Sequence, residues 1–193
     1  GKIYVAGNNN SGILLESIYN DTVTNNGTIT VDKAYNLFNN PNNTVNYSNA
    51  VATSNAGIRI QSFETTDTAT GNLVGVNKGT INLNNGSGNV GIYAYDVENT
   101  NNIMGTNSYK ILGQNTATGI INVAGTNVGM MAEDKSGTVT NFKTVIKNSG
   151  NINVSGSGSV GMFTANKDSF AEQKLISLIR SHLFILVFLT FRS

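Results

Sequence analysis

Hydrophobic residues in this chain recur at every second position in short segments of four or five residues. In Gly119–Val123 and Gly150–Val154, Ile and Val alternate with Asn. A period of two places the apolar side chains on one face of a β-strand and the amides on the other. The pattern therefore predicts many short strands, each of which buries one face.

These strands belong to a module with two arms, which occurs five times in the same order. The first arm is a Gly followed by an alternating strand, at Gly1–Val5, Gly27–Val31, Gly79–Leu83, Gly119–Val123 and Gly150–Val154. The second arm has Gly at its second position and lies at Ser11–Leu15, Ala56–Ile60, Val90–Ala94, Val128–Ala132 and Val160–Thr164. Turns rich in Gly, Asn and Ser connect the arms, and a long polar insertion around Pro41 separates them once.

The spacing of the modules indicates the architecture. The first-arm glycines are 26, 52, 40 and 31 residues apart. Constant strands with variable spacers are typical of a solenoid, in which stacking fixes the strands and insertions go to loops. A third strand per module is predicted at Tyr109–Leu112 and Phe142–Lys147. We therefore predict an all-β fold, a right-handed parallel β-helix (β-solenoid) of about five coils.

Stacking of the modules predicts columns of equivalent residues. We expect Ile81, Ile121 and Ile152 to form one interior column, Val90, Val128 and Val160 to form another, and Asn82, Asn122 and Asn153 to form an amide ladder. The module glycines are predicted to have positive φ in turns, or to mark sharp bends of the backbone.

The repeat occupies residues 1–167, and the last residues, 168–193, differ from it. No Asn follows Asn166 and no Gly follows Gly161, and the tail becomes rich in Leu, Ile and Phe. Its uninterrupted apolar core, Leu183–Leu189, is too short for a membrane span, which needs about 20 apolar residues. We interpret the tail as a frameshifted or other non-native terminus, with an amphipathic capping helix as the alternative, and predict that it leaves the parallel ladder.

Composition and charge exclude several classes of function. Charged residues make up 12% of the chain and the net charge is +1, without the basic stripe of a nucleic-acid-binding protein. The absence of Cys excludes disulfides and thiolate metal sites. Two segments, Gly86–Gly91 and Gly156–Gly161, match G-x-G-x-x-G, but a strand and not a helix is predicted after each, so no dinucleotide site is expected. We predict no cofactor and no metal.

Residues suited to catalysis are sparse. Asp96 and Glu98 follow one second arm, and Glu133 and Asp134 follow another, which gives weak clustering of carboxylates on stacked loops. We interpret them as surface residues. The one histidine, His182, lies in the tail and cannot complete a triad within the repeat. The chain is therefore predicted not to be an enzyme. Tyr93, Tyr95 and Phe163 are either exposed contacts for glycan or protein, or stacked aromatics inside the coil.

The repeat units resemble those of a known family. The segments GTINLNNGSGNVGIYAYD, GIINVAGTNVGMMAEDK and GNINVSGSGSVGMFTANK are similar to the passenger repeats of large Asn/Gly-rich autotransporters, particularly those of fusobacteria. The resemblance implies an adhesive passenger fragment that is secreted or displayed at the bacterial cell surface and outer membrane. Attachment to the membrane is then expected only through a C-terminal β-barrel outside this chain. The alternatives are a β-helical carbohydrate-active enzyme or tailspike segment, and a trimeric autotransporter stalk.

The insertion between the first and second arms of the second module is the longest polar excursion. It supplies aromatic rings and amides with almost no charge, a chemistry suited to weak polar and stacking contacts. We predict a contact loop here, with candidate residues Tyr35, Phe38, Asn39, Asn42 and Tyr47. The expected partner is a host or bacterial surface protein or glycan.

Overall fold

The computed structural model describes residues 1–17, 20–32, 52–62, 72–96, 110–134, 143–165 and 169–174. The described residues form fifteen strands in three parallel sheets of five, one strand per sheet in each coil. Sheet A contains β1 (Lys2–Val5), β4 (Thr28–Val31), β7 (Thr80–Leu83), β10 (Ile120–Val123) and β13 (Asn151–Val154). Sheet B contains β2 (Ser11–Ser17), β5 (Ala56–Ser62), β8 (Ser87–Asp96), β11 (Thr126–Asp134) and β14 (Val160–Ala165). Sheet C contains β3 (Asp21–Asn25), β6 (Asn72–Asn77), β9 (Lys110–Asn115), β12 (Lys143–Asn148) and β15 (Ser169–Gln173).

This topology confirms the parallel β-helix of five coils. Each strand pairs in parallel with the equivalent strand of the next coil and not with its neighbour in sequence. Parallel strands need long crossover connections, and here the other two strands of the coil provide each crossover. Within the described residues, no helix is long and apolar enough to cross a membrane.

The predicted interior column of isoleucines is confirmed in sheet A. Ile121 is in register with Ile81 on one side and Ile152 on the other. Ile81 and Ile121 are fully buried, while Ile152, in the last coil, packs against the core and is only partly buried. The alternation of apolar and polar residues therefore gives the strand faces that the sequence predicts.

The predicted valine column is in register but is not uniformly interior. Val128 pairs with Val90 and with Val160, as the repeat predicts. Only Val90 is buried, however, and Val160 is 40% exposed. The register of β11 against β8 is irregular just before this column, between Thr126 and Val128, so the valines lie at the edge of the core. The interior positions of sheet B are those of Ile58, Ile92 and Met130.

The prediction that the tail leaves the ladder from residue 168 is wrong for its first segment. Strand β15 continues sheet C and pairs with β12 in register over five positions, from Thr144↔Ser169 to Asn148↔Gln173. Its backbone completes the fifth coil although its sequence lacks the Asn and Gly of the repeat, because ladder hydrogen bonds do not depend on side chains. Residues 175–193, including His182, lie outside the described residues.

The arm glycines have a different role from the one predicted. Positive φ occurs in the turns, at Gly7, Gly86, Gly88, Gly125 and Gly158, and not in the arms. In the second arms the glycines stack on one another, and a Cβ at Gly91 would lie 2.4 Å from the carbonyl oxygen of Gly129. The arms thus need Gly because successive backbones approach closely, and the positive-φ interpretation is wrong for them.

Three ladders of side-chain amides run along the helix axis. The predicted surface ladder is confirmed: Asn122 donates to Asn82 and Asn153 donates to Asn122, both at 2.8 Å. A buried ladder at the end of sheet C joins Asn25, Asn77, Asn115, Asn148 and Gln173 through hydrogen bonds of 2.8–2.9 Å. A corner ladder between sheets A and B joins Asn55, Asn89 and Asn127, and ends at Ser159. The latter two were not predicted.

The buried and corner ladders hold the corners of the coil closed. Unpaired polar groups in the interior cost about 1–3 kcal/mol each, so buried amides are stable here only as complete chains of donors and acceptors. Asn89 also donates to the carbonyl oxygen of Ala52, and its own Oδ1 accepts from the backbone N–H of Asn55. Each amide therefore satisfies the backbone of the turn as well as the next coil.

Candidate functional site: the outer face of sheet B

The outer face of sheet B carries two columns of large side chains. The first column, which we call the aromatic column, consists of Leu14, Arg59, Tyr93, Met131 and Phe163. The second, the carboxylate column, lies two residues further along each strand and consists of Glu16, Gln61, Tyr95, Glu133 and Ala165. The parallel register places one member of each column in every coil. These side chains point outward because their neighbours in each strand fill the core.

Tyr93 lies at the centre of this face. The guanidinium carbon of Arg59 lies 5.3 Å from the centre of the Tyr93 ring, within the range of a cation–π contact. The ring of Tyr95 lies 5.3 Å away and is tilted by 33°. The Tyr93 hydroxyl donates a hydrogen bond to a carboxylate oxygen of Glu133. Three coils are therefore linked through this one side chain.

The environment of Tyr93 favours its neutral form. Burial is the main factor that raises the pKa of the Tyr93 hydroxyl above its ordinary value, and the hydrogen bond to Glu133 and the negative charge of that residue raise it further. Arg59 acts in the opposite direction with a smaller effect. Tyr93 thus remains a hydrogen-bond donor over the whole physiological pH range.

Arg59 is held against Tyr93 but makes no ion pair within the described residues. Its Nε atom is buried and has no hydrogen-bond acceptor. Glu16, in the adjacent column, accepts a hydrogen bond of 2.8 Å from Gln61. The face therefore combines a guanidinium that makes no ion pair within the described residues with two carboxylates that accept hydrogen bonds from neighbouring coils.

The two ends of the aromatic column are the most exposed apolar side chains of this face. Leu14 is 51% exposed and Phe163 is 43% exposed. Between them lie the partly buried side chains of Arg59, Tyr93 and Met131, so the column is continuous from one end of the face to the other. The arrangement is suited to binding through apolar contact and charge pairing.

The fold brings two of the acidic residues considered from the sequence together, but buries both of them. Asp96 and Asp134 are in register on neighbouring strands, but both point inward and are only 3% exposed. Glu133, between the buried Ala132 and Asp134, points outward. Within the described ranges, no group of three or more His, Cys, Asp or Glu residues is placed to hold a metal ion. Glu98 lies outside the described residues.

Two other sequence hypotheses can be compared with the structure. The segment Gly86–Gly91 lies within strand β8 from Ser87 onward and does not lead into a helix, so this G-x-G-x-x-G match is not placed to form a dinucleotide site. The aromatic residues Tyr93 and Phe163 lie outside the coil, on the face described above, and not in the core. The predicted contact residues Tyr35, Phe38, Asn39, Asn42 and Tyr47 lie outside the described residues.

The sequence did not single out Arg59 or Met131 as site residues. They are separated from Tyr93 by 34 and 38 positions, and only the coil register brings them into one column. The signal was present in the second arms, where aligned positions read Leu14, Arg59, Tyr93, Met131 and Phe163.

The fold and this solvent-facing sheet define a parallel β-helix domain with an exposed contact face. The family model described as the BigA third pectate lyase-like domain matches residues 1–106, more than half of the chain. The chain belongs to this family, in which "pectate lyase-like" describes the fold. Searches of curated proteins and of solved structures each found no match.

Proposed function

We propose that the chain is a structural and adhesive segment of a bacterial autotransporter passenger displayed at the cell surface. The observation that carries this proposal is the family match, because BigA is an adhesin of the autotransporter type. A passenger must hold its contact loops away from the membrane. A parallel β-helix does so, since every added coil lengthens the rod by about 4.8 Å.

The amide ladders support a role as a stiff support. The buried ladder joins all five coils, and the surface ladder joins three of them on another face. Ladders of this kind hold neighbouring coils in register without adding charge. The result is a rod that presents insertions at fixed positions along its length.

The contact residues that we propose lie in the insertion between β4 and β5. Tyr35, Phe38, Asn39, Asn42 and Tyr47 supply rings and amides, which suit weak contacts with a surface protein or glycan. Many weak contacts along a longer passenger would add up through effective concentration. One segment alone is therefore expected to bind weakly.

The test of adhesion uses the full chain, labelled with a fluorophore and applied to fixed bacterial cells and to epithelial monolayers. Saturable binding is expected. Deletion of residues 36–49 should reduce it without changing the circular-dichroism spectrum, and a Gly/Ser insert of equal length serves as the control. Absence of saturable binding, or binding that survives the deletion unchanged, would contradict the proposed role.

We also propose that the segment is not catalytic. Acid–base catalysis on a polymer needs carboxylates that reach the substrate in a concave site. The inward orientation of Asp96 and Asp134 and the engagement of Glu133 by Tyr93 support this view. A polysaccharide panel, assayed for new reducing ends and unsaturated products with and without divalent cations, should show no turnover. Cleavage that is lost in Asp96→Asn or Asp134→Asn would establish the carbohydrate-active enzyme instead.

A further inference from the structure

The outer face of sheet B has an arrangement of charge and apolar side chains that limits what can bind to it. Both faces of the Tyr93 ring have neighbours in its column, since Arg59 stacks on it and Met131 occupies the next coil. The Tyr93 hydroxyl is engaged by Glu133. A sugar binds an aromatic residue through an open ring face and through hydrogen bonds to free polar groups, and Tyr93 offers neither. Arg, Tyr, Met and Phe are instead the residues enriched where proteins bind proteins.

The order of residues along the aromatic column is self-complementary. It begins and ends with an exposed apolar side chain, Leu14 and Phe163, and Tyr93 is at its middle. The basic residue, Arg59, lies one coil to one side of Tyr93. Of the two carboxylates in the adjacent column, Glu133 lies one coil to the other side of Tyr93, and Glu16 lies in the first coil, where it accepts a hydrogen bond from Gln61. Reversing the coil order therefore brings the coil of Arg59 opposite the coil of Glu133.

We propose that this face binds a second copy of the chain, with the two helix axes antiparallel and the two-fold axis at Tyr93, parallel to the strands. This operation places coil two of one copy opposite coil four of the other. Arg59 then lies opposite Met131 of the second copy, one column away from its Glu133, at two equivalent positions, and Leu14 lies opposite Phe163 at two more. The two columns are about 7 Å apart along the strand, a distance that an arginine side chain can span.

Charge distinguishes this arrangement from its alternative. A two-fold axis parallel to the helix axis and passing through the aromatic column would place Arg59 opposite Arg59, and like charges face to face oppose association. In the antiparallel arrangement the guanidinium of Arg59, which has no ion pair within the described residues, gains a carboxylate. A carboxylate accepts several hydrogen bonds, so Glu133 can retain the one from Tyr93.

The size of the face sets the expected strength. Five strands about 4.8 Å apart and about seven residues long give a face of roughly 500 Å² per copy. A stable complex buries about 800 Å² per partner, so this contact is weak and transient for one segment. This proposal goes beyond the adhesive role, because it concerns association of the purified chain with itself. The self-association and the adhesion can therefore each be disproved without affecting the other.

The first experiment measures self-association of the full chain by sedimentation equilibrium up to about 1 mM, the range of weak contacts. A monomer–dimer equilibrium is expected. Arg59→Glu and Glu133→Arg should each weaken it by about tenfold or more, and the double variant should restore it, because the two charges are exchanged. Lys2→Glu makes the same charge change on sheet A and should leave association unchanged. Circular dichroism verifies the fold of each variant.

A second experiment tests the antiparallel register. The chain has no Cys, so single cysteines can be introduced at Leu14→Cys and Phe163→Cys. A short bismaleimide should cross-link a mixture of the two variants but neither variant alone, since Leu14 faces Phe163 and not itself. This assay leaves Arg59 and Glu133 intact, so it stands even if their variants fold poorly.

Several results would overturn the proposal. One is a chain that remains monomeric throughout the concentration range. Another is association that is equally strong in Arg59→Glu, which would place the contact elsewhere, including residues 175–193. A double variant that is not restored would remove the Arg59–Glu133 pairing, and cross-linking of Leu14→Cys with itself would establish the parallel arrangement.

Discussion

The contribution of an asparagine to the stability of this molecule depends on whether its side chain is buried. In the buried ladder Asn115 is fully buried, donates to Asn148 at 2.8 Å and accepts from Asn77 at 2.9 Å. In the surface ladder Asn122 makes hydrogen bonds of similar length, but water can replace its partners. The same hydrogen bond therefore contributes little at the surface, while its loss is costly inside.

This difference predicts the outcome of one pair of substitutions. Asn115→Ala removes two buried hydrogen bonds, the one that Asn77 donates and the one that Asn148 accepts, and should reduce the free energy of unfolding by about 2–5 kcal/mol. Asn122→Ala, the same chemical change in the surface ladder, should cost less than about 1 kcal/mol. Urea denaturation followed by circular dichroism measures both. Equal losses in the two variants would show that the buried ladder is not a special source of stability.

Tyr93 should make stability depend on alkaline pH. Its pKa is raised in the folded chain, first by burial and then by Glu133, while a tyrosine in an unfolded chain titrates near about 10. Above that pH the unfolded state loses the proton and the folded state keeps it, so the stability from Tyr93 is complete below about pH 10 and is lost as pH rises. Tyr93→Phe should therefore lose less stability than the unsubstituted chain between about pH 9 and pH 11. Urea midpoints across this range test it, with Tyr4→Phe as the control for loss of an exposed hydroxyl.

At the scale of the strand, the sequence predicts every strand of sheets A and B, but in sheet C it predicts only β9 and β12, as the third strands at Tyr109–Leu112 and Phe142–Lys147. The first and second arms alternate because Ile and Val fill the interior positions. In sheet C, interior positions are occupied by small residues such as Gly75 and Gly113. A Cβ at Gly75 would lie 2.5 Å from a carbon of Ile60, and one at Gly113 would lie 2.7 Å from a carbon of Ile92. The large side chains of sheet B thus fill the space over sheet C at these positions, and β6 and β9 carry Gly where the arms of the other two sheets carry Ile or Val.

The unpredicted ladders did have a signal in the sequence. Buried Asn residues stand two positions before an arm glycine, as in Asn77-x-Gly79 before a first arm and Asn89-x-Gly91 before a second. The surface ladder was predictable because its members fall inside the recognised arms. The other two fall at turns, where Asn is common for local reasons, and burial became evident only with the coil geometry. The two columns on the outer face of sheet B could not be predicted from the sequence for the same reason, because each column joins residues from five coils.

Strand β15 shows that a coil can be completed without the repeat sequence. Gln173 accepts a hydrogen bond of 2.8 Å from Asn148, and Glu172 pairs with Lys147 at the same distance. A chain ending at Lys174 should therefore keep its β-sheet circular-dichroism signal and gain solubility, because an apolar run is removed. A chain ending at Ala165 should lose about 1–3 kcal/mol in addition, because the hydrogen bond from Asn148 to Gln173 is lost. Urea denaturation measures the free energy of unfolding of both truncated chains. Equal values would mean that β15 does not contribute to stability.

At the scale of the whole molecule, stability should depend on where along the helix a coil is damaged. Each coil of a solenoid contacts only its neighbours, so stability is a sum over coils and the interfaces between them. The fourth coil has two such interfaces, and the fifth has one within the described residues. Their equivalent positions in sheet A are Ile121, which is fully buried, and Ile152, which is partly buried.

An aspartate introduced into this column tests that additivity. Ile121→Asp would place an unpaired charge between Ile81 and Ile152 and should cost about 3–5 kcal/mol. Ile152→Asp should cost roughly half as much, because only one interface is disturbed and solvent is closer. Ile120→Asp, which adds the same charge on the outward side of the strand, should cost less than about 1 kcal/mol. Chemical denaturation gives the three values. Equal losses for Ile121→Asp and Ile152→Asp would mean that the five coils unfold as one unit and that the position of a coil does not matter.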